Sequence, residues 1–428
     1  MFKNYLKIAI KVLLRKKFYT LVTLFCISIT LSIVIILSSF IEHMEDTLPP
    51  KSKFNRVLNL IGLTVYSLND NGSRNSTSDG QPTYHFINTY VKTMKTPELV
   101  SAHSYYEDNI DVIRNGKKSD FRIKYTDAEF WQITDFKFFE GKAFNEEHIK
   151  QKSKVVIIDE YTRDFYFSPK EKVVGKTITI KHENYKVIGV VQNVDEMKHF
   201  VSSNLYFPIT INDRYLTKEH SGHGSTCMAF VLARNKKDFE KIKAEYQQVL
   251  RKLEKDIEGE YWYGHFGSYI ERGYLSMIKP WIQTENKNII RSIGLIISTI
   301  LSIIIILYLL LPASNLANIQ LNRIYERHDE IGIRKTFGAS RRKLLIQFLI
   351  ENIIIILLGT IIAILLSWIF IKVFNASGVV QASNIRLNGD VILFSLVIAL
   401  FFALLSGLAP AIRMSKLQIA TILNNEEV

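Results

Sequence analysis

Apolar and polar positions are unevenly distributed along the chain. Four long apolar stretches stand out, at 18–41, 289–317, 344–371 and 391–412, separated by segments of ordinary polarity. Each matches or exceeds the roughly 20 apolar residues that cross a bilayer core. The first, Phe18–Ile41, carries no charge. A buried helix of that length and purity is rare in a water-soluble core, so the pattern predicts four membrane-spanning helices. A signal peptide is a poorer reading of the first stretch. Its apolar run exceeds the roughly 7–15 residues of a signal core, and no small-residue cleavage site follows.

The segment between the first and second spans, 42–288, reads as a mixed α/β domain. "VLNLIGLTVY" (57–66), "SKVVIIDE" (153–160) and "CMAFVLAR" (227–234) read as strands. "GKTITIKHENYKVIGVV" (175–191) alternates at period two around "HEN" and predicts a hairpin. "LNDNGSRNSTSDGQP" (68–82) is rich in turn formers and reads as a polar loop. Over 237–258, Phe239, Ile242, Tyr246, Val249, Leu253 and Ile257 form one apolar helical stripe, expected to be core. From Tyr269 to Asn288 the pattern predicts a helical stalk running into the second span. Residues 1–17 place Lys3, Lys7, Lys11 and Arg15 four apart, as in an amphipathic helix at a membrane surface.

Charge orients this plan. Six Lys and Arg and no acid occupy 1–17, and seven against three acids occupy 313–344. The stretch 42–288 holds 36 basic and 34 acidic residues. The net +13 is therefore an orientation signal. It puts the 1–17 tail, the 318–343 loop and the 413–428 tail in the cytoplasm, and 42–288 with the short 372–390 link outside. No basic patch on the outer domain points to nucleic acid.

Candidate chemistry is sparse. "VGKT" (174–177) lacks the second glycine of a phosphate loop, since Lys170 holds that place. His220, His223 and Cys227 have a spacing that could supply three metal ligands, but a Gly/Ser-rich loop with incidental histidines is the preferred reading. No catalytic triad or carboxylate pair can be picked out, and the predicted catalytic, cofactor and metal sites are none. Cys26 and Cys227 lie in different segments, so no internal disulfide is expected, and Cys227→Ser is expected to be nearly silent. Glu351 and Arg291 are ionisable residues near the ends of their spans, which disfavours an ion relay through the bilayer. Between the spans, residues 328–337 read as a short helix with Ile333 and Phe337 on one side, Gly332 and Thr336 beside them, and Glu330 four from Arg334. Gly338 suits a helix stop and Ser340 a cap for the next helix. The residues alone fit a protein-docking helix and a plain interfacial helix equally.

"ERHDEIGIRKTFGASRRKLLIQFLIEN" (326–352) closely resembles the signature of the FtsX/MacB-type ABC transporter permeases, with Glu330, Ile331, Gly332, Ile333, Arg334, Lys335, Phe337 and Gly338 at its centre. Thr336-Phe337 stands where that family more often has Ala-Leu. "SGLAPAIRMSKLQIATIL", "WQITDFKFFEGKAFNEEHIKQKSKVVIIDE" and "NYLKIAIKVLLRKKFYT" are similar to the family's ending, periplasmic core domain and opening. The stretches 68–82 and 192–226 match nothing in it.

The resemblance implies an α-helical membrane protein of four transmembrane helices with a large extracytoplasmic α/β domain between helices 1 and 2. It implies a bacterial inner-membrane location with both termini cytoplasmic. It also implies a dimer, with a second copy or a paralogue, and a cytoplasmic ABC ATPase partner that grips 328–337 and carries the ATP and magnesium. A periplasmic adaptor and an outer-membrane channel are further implied partners. Some family members carry the ATPase at their N-terminus. Here only 17 residues precede the first span, so the ATPase is expected on another chain. Export of periplasmic cargo such as a peptide or drug is the leading expectation. Release of lipoproteins and mechanical regulation of a cell-wall hydrolase are the alternatives. A membrane sensor is disfavoured by the lack of an inner signalling domain, and the ten-helix bacitracin-type permeases by the count of four.

Overall fold

The computed structural model describes residues 17–45, 49–105, 108–114, 116–198, 200–216, 223–258, 263–272, 340–380 and 382–416, with Thr299, Ile333 and Phe337 between them. The second apolar stretch (289–317), most of 328–337 and both tails lie outside the described residues, apart from Thr299, Ile333, Phe337, Lys17 and 413–416. The chain forms two compact units. One comprises Met1–Met44, Ser292–Val379 and Asn384–Val428, the other Glu45–Arg291 with Val380–Ser383.

Helix α1 (Lys17–Glu45) opens the chain. The second unit then runs β1 (Val57–Leu68), β2 (Arg74–Pro82), α2 (Tyr84–Thr89), β3 (Pro97–Ser104), β4 (Asp108–Arg114) and β5 (Lys117–Thr126). It continues with α3 (Phe130–Ile133), β6 (Phe138–Gly141), α4 (Glu146–Lys150), β7 (Val155–Asp159), α5 (Glu160–Tyr166), β8 (Thr177–Ile180) and β9 (Glu183–Val191). It closes with β10 (Leu205–Pro208), β11 (His223–Ser225), β12 (Cys227–Ala233), α6 (Phe239–Asp256) and β13 (His265–Glu271). Helices α7 (Arg341–Ser377) and α8 (Gly389–Lys416) complete the first unit.

The strands make one mixed sheet in the order β11-β2-β1-β12-β3-β5-β10-β7-β9-β6, with β13 on β1, β4 on β5 and β8 on β9. β5–β10 and β7–β9 are parallel. The central strands are aliphatic throughout because both of their faces are covered. In β12, Cys227, Ala229, Val231 and Ala233 enter one core while Met228, Phe230 and Leu232 enter the other. In β7, Val156 and Ile158 take the first side, Val155 and Ile157 the second. Helix α6 closes the first core with Ile242, Tyr246, Leu250 and Leu253, and α3 the second with Phe130 and Ile133. The expected α6 stripe is therefore core, with Leu250 added to it.

The hairpin around "HEN" is β8–β9. Its two-residue turn is Lys181-His182, both in the left-handed region (φ 47° and 67°), as a turn matching the strand twist requires. Two expectations are corrected. The stretch 68–82 is not all loop: 74–82 form β2, paired antiparallel with β1. A strand needs a neighbour's backbone groups, and β2 does without an apolar face because all of it but Pro82 stays at least partly exposed. The helical run expected from Tyr269 does not begin there. Residues up to Glu271 belong to β13, paired with β1, and 273–288 lie outside the described residues.

In the first unit, α1 and α7 each contain a run long and apolar enough to cross a membrane, Thr20–His43 and Leu349–Ser377. Helix α8 is also strongly apolar in sequence, and it joins α1 and α7 in a core of Ile27, Leu31, Ile35, Ile355, Ile356, Ala363, Val391 and Ala399. Helix α7 runs to Ser377 and α8 begins at Gly389.

Candidate functional site

The expected ATPase-coupling residues Glu330, Ile331, Gly332, Arg334, Lys335 and Gly338 lie outside the described residues, while Ile333 and Phe337 are described. The Phe337 amide donates to the Ile333 carbonyl at 3.1 Å, the i to i+4 spacing of helical bonds. Both side chains face outward, Ile333 58% and Phe337 88% exposed. Burying such a pair is worth about 1.5–3 kcal/mol each, a gain left uncollected in this chain by itself. Ser340 immediately precedes α7 and is exposed.

Further along α7, Gln347, Glu351 and Asn352 are buried, and the Gln347 amide donates to the Glu351 carboxylate at 3.0 Å. A carboxylate in an apolar helix is kept only with such partners. Glu351 was legible from the sequence. Gln347, one turn before it, was not singled out, although the i,i+4 spacing is the signal that pairs them.

Beside the aliphatic core of the first unit, small and hydroxyl residues bring α1 and α7 close together. The Ser32 hydroxyl reaches both the Ser28 carbonyl of its own helix (2.6 Å) and the Ala363 carbonyl across the contact (3.2 Å). The Ser367 hydroxyl in turn reaches the Ser32 carbonyl at 3.2 Å. At Gly359 any β-carbon would lie 2.6 Å from Cγ2 of Ile27. Without a hydrophobic drive between helices in lipid, close approach through such residues is what holds them. Sequence reasoning missed this stripe.

In the outer unit the buried polar groups knit the fold. Asp127 accepts from the Ser101 hydroxyl (2.7 Å) and from the amides of Ala102 (2.6 Å) and Phe130 (3.0 Å). The Lys92 ammonium lies 3.0 Å from it and 2.6 Å from Glu129. Burial pulls that ammonium down, but the two carboxylates outweigh it and leave its pKa raised. Asp159 caps α5 through the Thr162 amide (2.8 Å) and accepts from Asn204 (2.8 Å), and burial pushes its carboxyl up to about 6. His103, also fully buried, packs 4.1 Å from the ring of Phe230. Burial, with Lys124 nearby, holds its imidazole well below the usual range.

Of the three possible metal ligands, His220 lies outside the described residues, His223 contributes backbone to β11, and Cys227 is a buried thiol in β12 that forms no disulfide. Among the described residues no group of three His, Cys, Asp or Glu side chains could hold a metal ion. Gly175 of "VGKT" sits in the turn before β8, at φ 94°.

Comparison with known proteins assigns the chain. Residues 20–249 match the family model of the MacB-like periplasmic core domain, and 302–419 match that of the FtsX-like permease C-terminal region. The chain is 26% identical over 312 residues to the macrolide export ATP-binding/permease protein MacB of Escherichia coli O6:K15:H31 (strain 536 / UPEC), spanning 71% of this chain and 43% of that protein. It is 26% identical over 296 residues to the protein of the same name from Escherichia coli (strain K12), spanning 68% and 42%. It thus aligns with less than half the length of these relatives. Among solved structures, the periplasmic region of MacB from Actinobacillus actinomycetemcomitans is similar at 19% identity and TM-score 0.33, over 53% of this chain and 94% of that one. The extracellular domain of the ABC-type transporter YknZ from Gram-positive bacteria is similar at 14% identity and TM-score 0.33, over 49% and 98%. The chain belongs to the FtsX/MacB-type ABC transporter permeases, with a MacB-like periplasmic core domain and an FtsX-like permease C-terminal region.

Proposed function

We propose that this chain is the permease subunit of an ABC transporter that turns ATP hydrolysis by a separate subunit into motion of its outer domain, driving export of periplasmic cargo such as a peptide or drug. In this reading the chain lies in a bacterial inner membrane, spans it four times and keeps both termini in the cytoplasm. It works as a dimer with a second copy or a paralogue. ATP and magnesium bind the partner ATPase, and an adaptor with an outer-membrane channel carries the cargo onward.

The observation that carries the reading is the exposed Ile333–Phe337 pair, two apolar side chains joined by a backbone bond just before α7 in the sequence, inside the FtsX-like region. An isolated exposed phenylalanine is unremarkable, but an aromatic anchor next to an aliphatic one is the composition of a protein contact. The charges of Glu330, Arg334 and Lys335 around it suit the rim of such a contact.

The test is co-purification and ATPase stimulation by Phe337→Asp and Arg334→Glu at matched expression. Phe337→Asp puts a charge into the contact and costs several kcal/mol of binding. Arg334→Glu weakens the helix by only about 0.5 kcal/mol but reverses the sign offered to the partner. Both variants insert normally yet lose the ATPase. Normal binding and normal stimulation in both would sink the docking reading. Hydrolysis by the rigorously pure chain alone would sink the division of labour.

A further inference from the structure

Among the described residues, the first and last strands of the outer unit are neighbours. β1 follows α1 in the chain, and β13 precedes the stretch that leads to the second apolar segment. They pair antiparallel, with Asn59 opposite Glu271, so both connections to the membrane segments leave from the same end of this pair. A two-strand ladder loaded from one end opens bond by bond, like a zip. This one also has a weak point, since its register shifts between Leu60 and Leu63.

A chain of hydroxyls fills that weak point. The Ser268 hydroxyl of β13 donates to the Gly62 carbonyl of β1 at 2.5 Å, where the register breaks. The Tyr246 hydroxyl of α6 donates to the Ser268 oxygen at 2.8 Å from a fully buried position. The same helix grips β13 along its length. The Gln247 amide donates to the Ser268 carbonyl (3.2 Å), Glu254 accepts from the Phe266 amide (3.0 Å), and Lys243 pairs with Glu271 (2.9 Å). These bonds go well beyond what closing the core needs, because α6 already buries Ile242, Leu250 and Leu253 against it.

We propose that Tyr246 and Ser268 are positioning residues that lock β13 onto β1, so that the two membrane connections drive the outer domain as one body instead of shearing it. The proposal rests on the reading that ATP moves this domain.

The experiment uses the full chain in nanodiscs. Hydrogen exchange is measured for the 57–68 and 265–271 segments in wild type, Tyr246→Phe, Ser268→Ala and Ser268→Thr. Loss of one buried hydrogen bond should speed exchange of both segments about five- to tenfold, with β7 and β9 unchanged. The threonine variant, which keeps the hydroxyl, should restore protection. Equal loosening across the whole sheet would reduce the pair to ordinary core and overturn the lock, as would no loosening in either Tyr246→Phe or Ser268→Ala.

A second measurement adds the ATPase and reads the distance between spin labels at Thr177 in the two copies of the dimer. Ser268→Ala should blunt the ATP-driven change. In a background with Cys26 and Cys227 replaced by alanine, a disulfide between Asn59→Cys and Glu271→Cys should restore the change, and reduction should abolish it again. A disulfide that stops the motion of the otherwise intact chain would mean that β1 and β13 must slide, and overturns the proposal. If wild type shows no ATP-driven change, the transport reading fails, while the exchange data still decide the lock.

Discussion

Gly359→Ala is a sharp test of how the helical unit is held together. Two effects compete. Alanine is about 1 kcal/mol better than glycine inside a helix, which favours the variant. Against that, its methyl would stand 2.6 Å from Cγ2 and 3.0 Å from Cβ of Ile27, where carbon atoms rest at about 3.5–4.0 Å. Ile27 is β-branched and fixed in a helix, so it has no second rotamer to retreat into. The helices must separate by about 1 Å. That stretches the Ser32–Ala363 and Ser367–Ser32 bonds, both already at 3.2 Å. Overpacking typically costs about 1–3 kcal/mol, and each interhelical bond in lipid about 0.6, so after the gain in helix propensity the clash wins by about 1–3 kcal/mol. The assay is unfolding of the full chain in mixed micelles by a denaturing detergent. Ile27→Ala, which removes the offending methyl, should relieve part of the loss, giving a favourable coupling of about 1 kcal/mol in a double-mutant cycle. A Gly359→Ala chain as stable as wild type, or a cycle with no coupling, refutes close α1–α7 packing.

Two other outcomes concern the outer domain. His103 is held neutral by burial, so its contribution to stability is present above about pH 6.5 and lost as pH falls and the unfolded state takes up the proton. Asp159 works in the opposite sense. Its folded carboxyl keeps a proton up to about pH 6, so its contribution is present below its ordinary value of 3.8 and lost as pH rises through 6. Melting temperatures of His103→Phe and Asp159→Asn across pH 4–8 should therefore change slope in opposite directions relative to wild type, and parallel curves would refute both assignments. Cys227→Ser should cost about 1–3 kcal/mol in chemical denaturation, because the thiol is fully buried in β12 and a hydroxyl there loses its solvation. This replaces the expectation of a silent substitution, which came from the lack of a disulfide partner and took no account of burial.

What was legible in the outer domain was what its core demands. β7 and β12 read as strands because a strand covered on both faces must be aliphatic at every position, and "VVIID" and "CMAFVLA" leave little else open. β2 was illegible for the opposite reason. "RNSTSDGQP" has turn-forming side chains and no apolar face, yet β1 supplies the pairing its backbone needs. "HFGSYIE" failed as β13 because its strand state comes from contacts distant in sequence, the β1 ladder and the grip of α6. No local pattern announces either. At the candidate coupling site, a helical wheel brought Ile333 and Phe337 together without help, but it did not separate a protein contact from a lipid surface. The resemblance to a permease signature made that choice.

The two units also differ in what kind of residue holds them, and this explains why one core was readable and the other was not. In water, burying apolar area drives association, so the outer core is written in large side chains at regular spacing, such as Phe230, Tyr206 and Leu232. In lipid, large apolar side chains gain nothing by leaving the surface, and Phe18, Leu21, Phe25, Leu37 and Ile41 of α1 stay exposed. Beside the aliphatic core of Ile27, Leu31, Ile35, Ile355 and Ile356, the contact is fixed by residues that permit close approach or hydrogen bonding, here Ser32, Gly359, Ala363 and Ser367. A search for apolar periodicity finds the length of a span and passes over its interface. In a span the informative positions are the small and hydroxylated ones. On that rule Ser39 of α1, buried and seven residues beyond Ser32, belongs to the same face as the contact with α7.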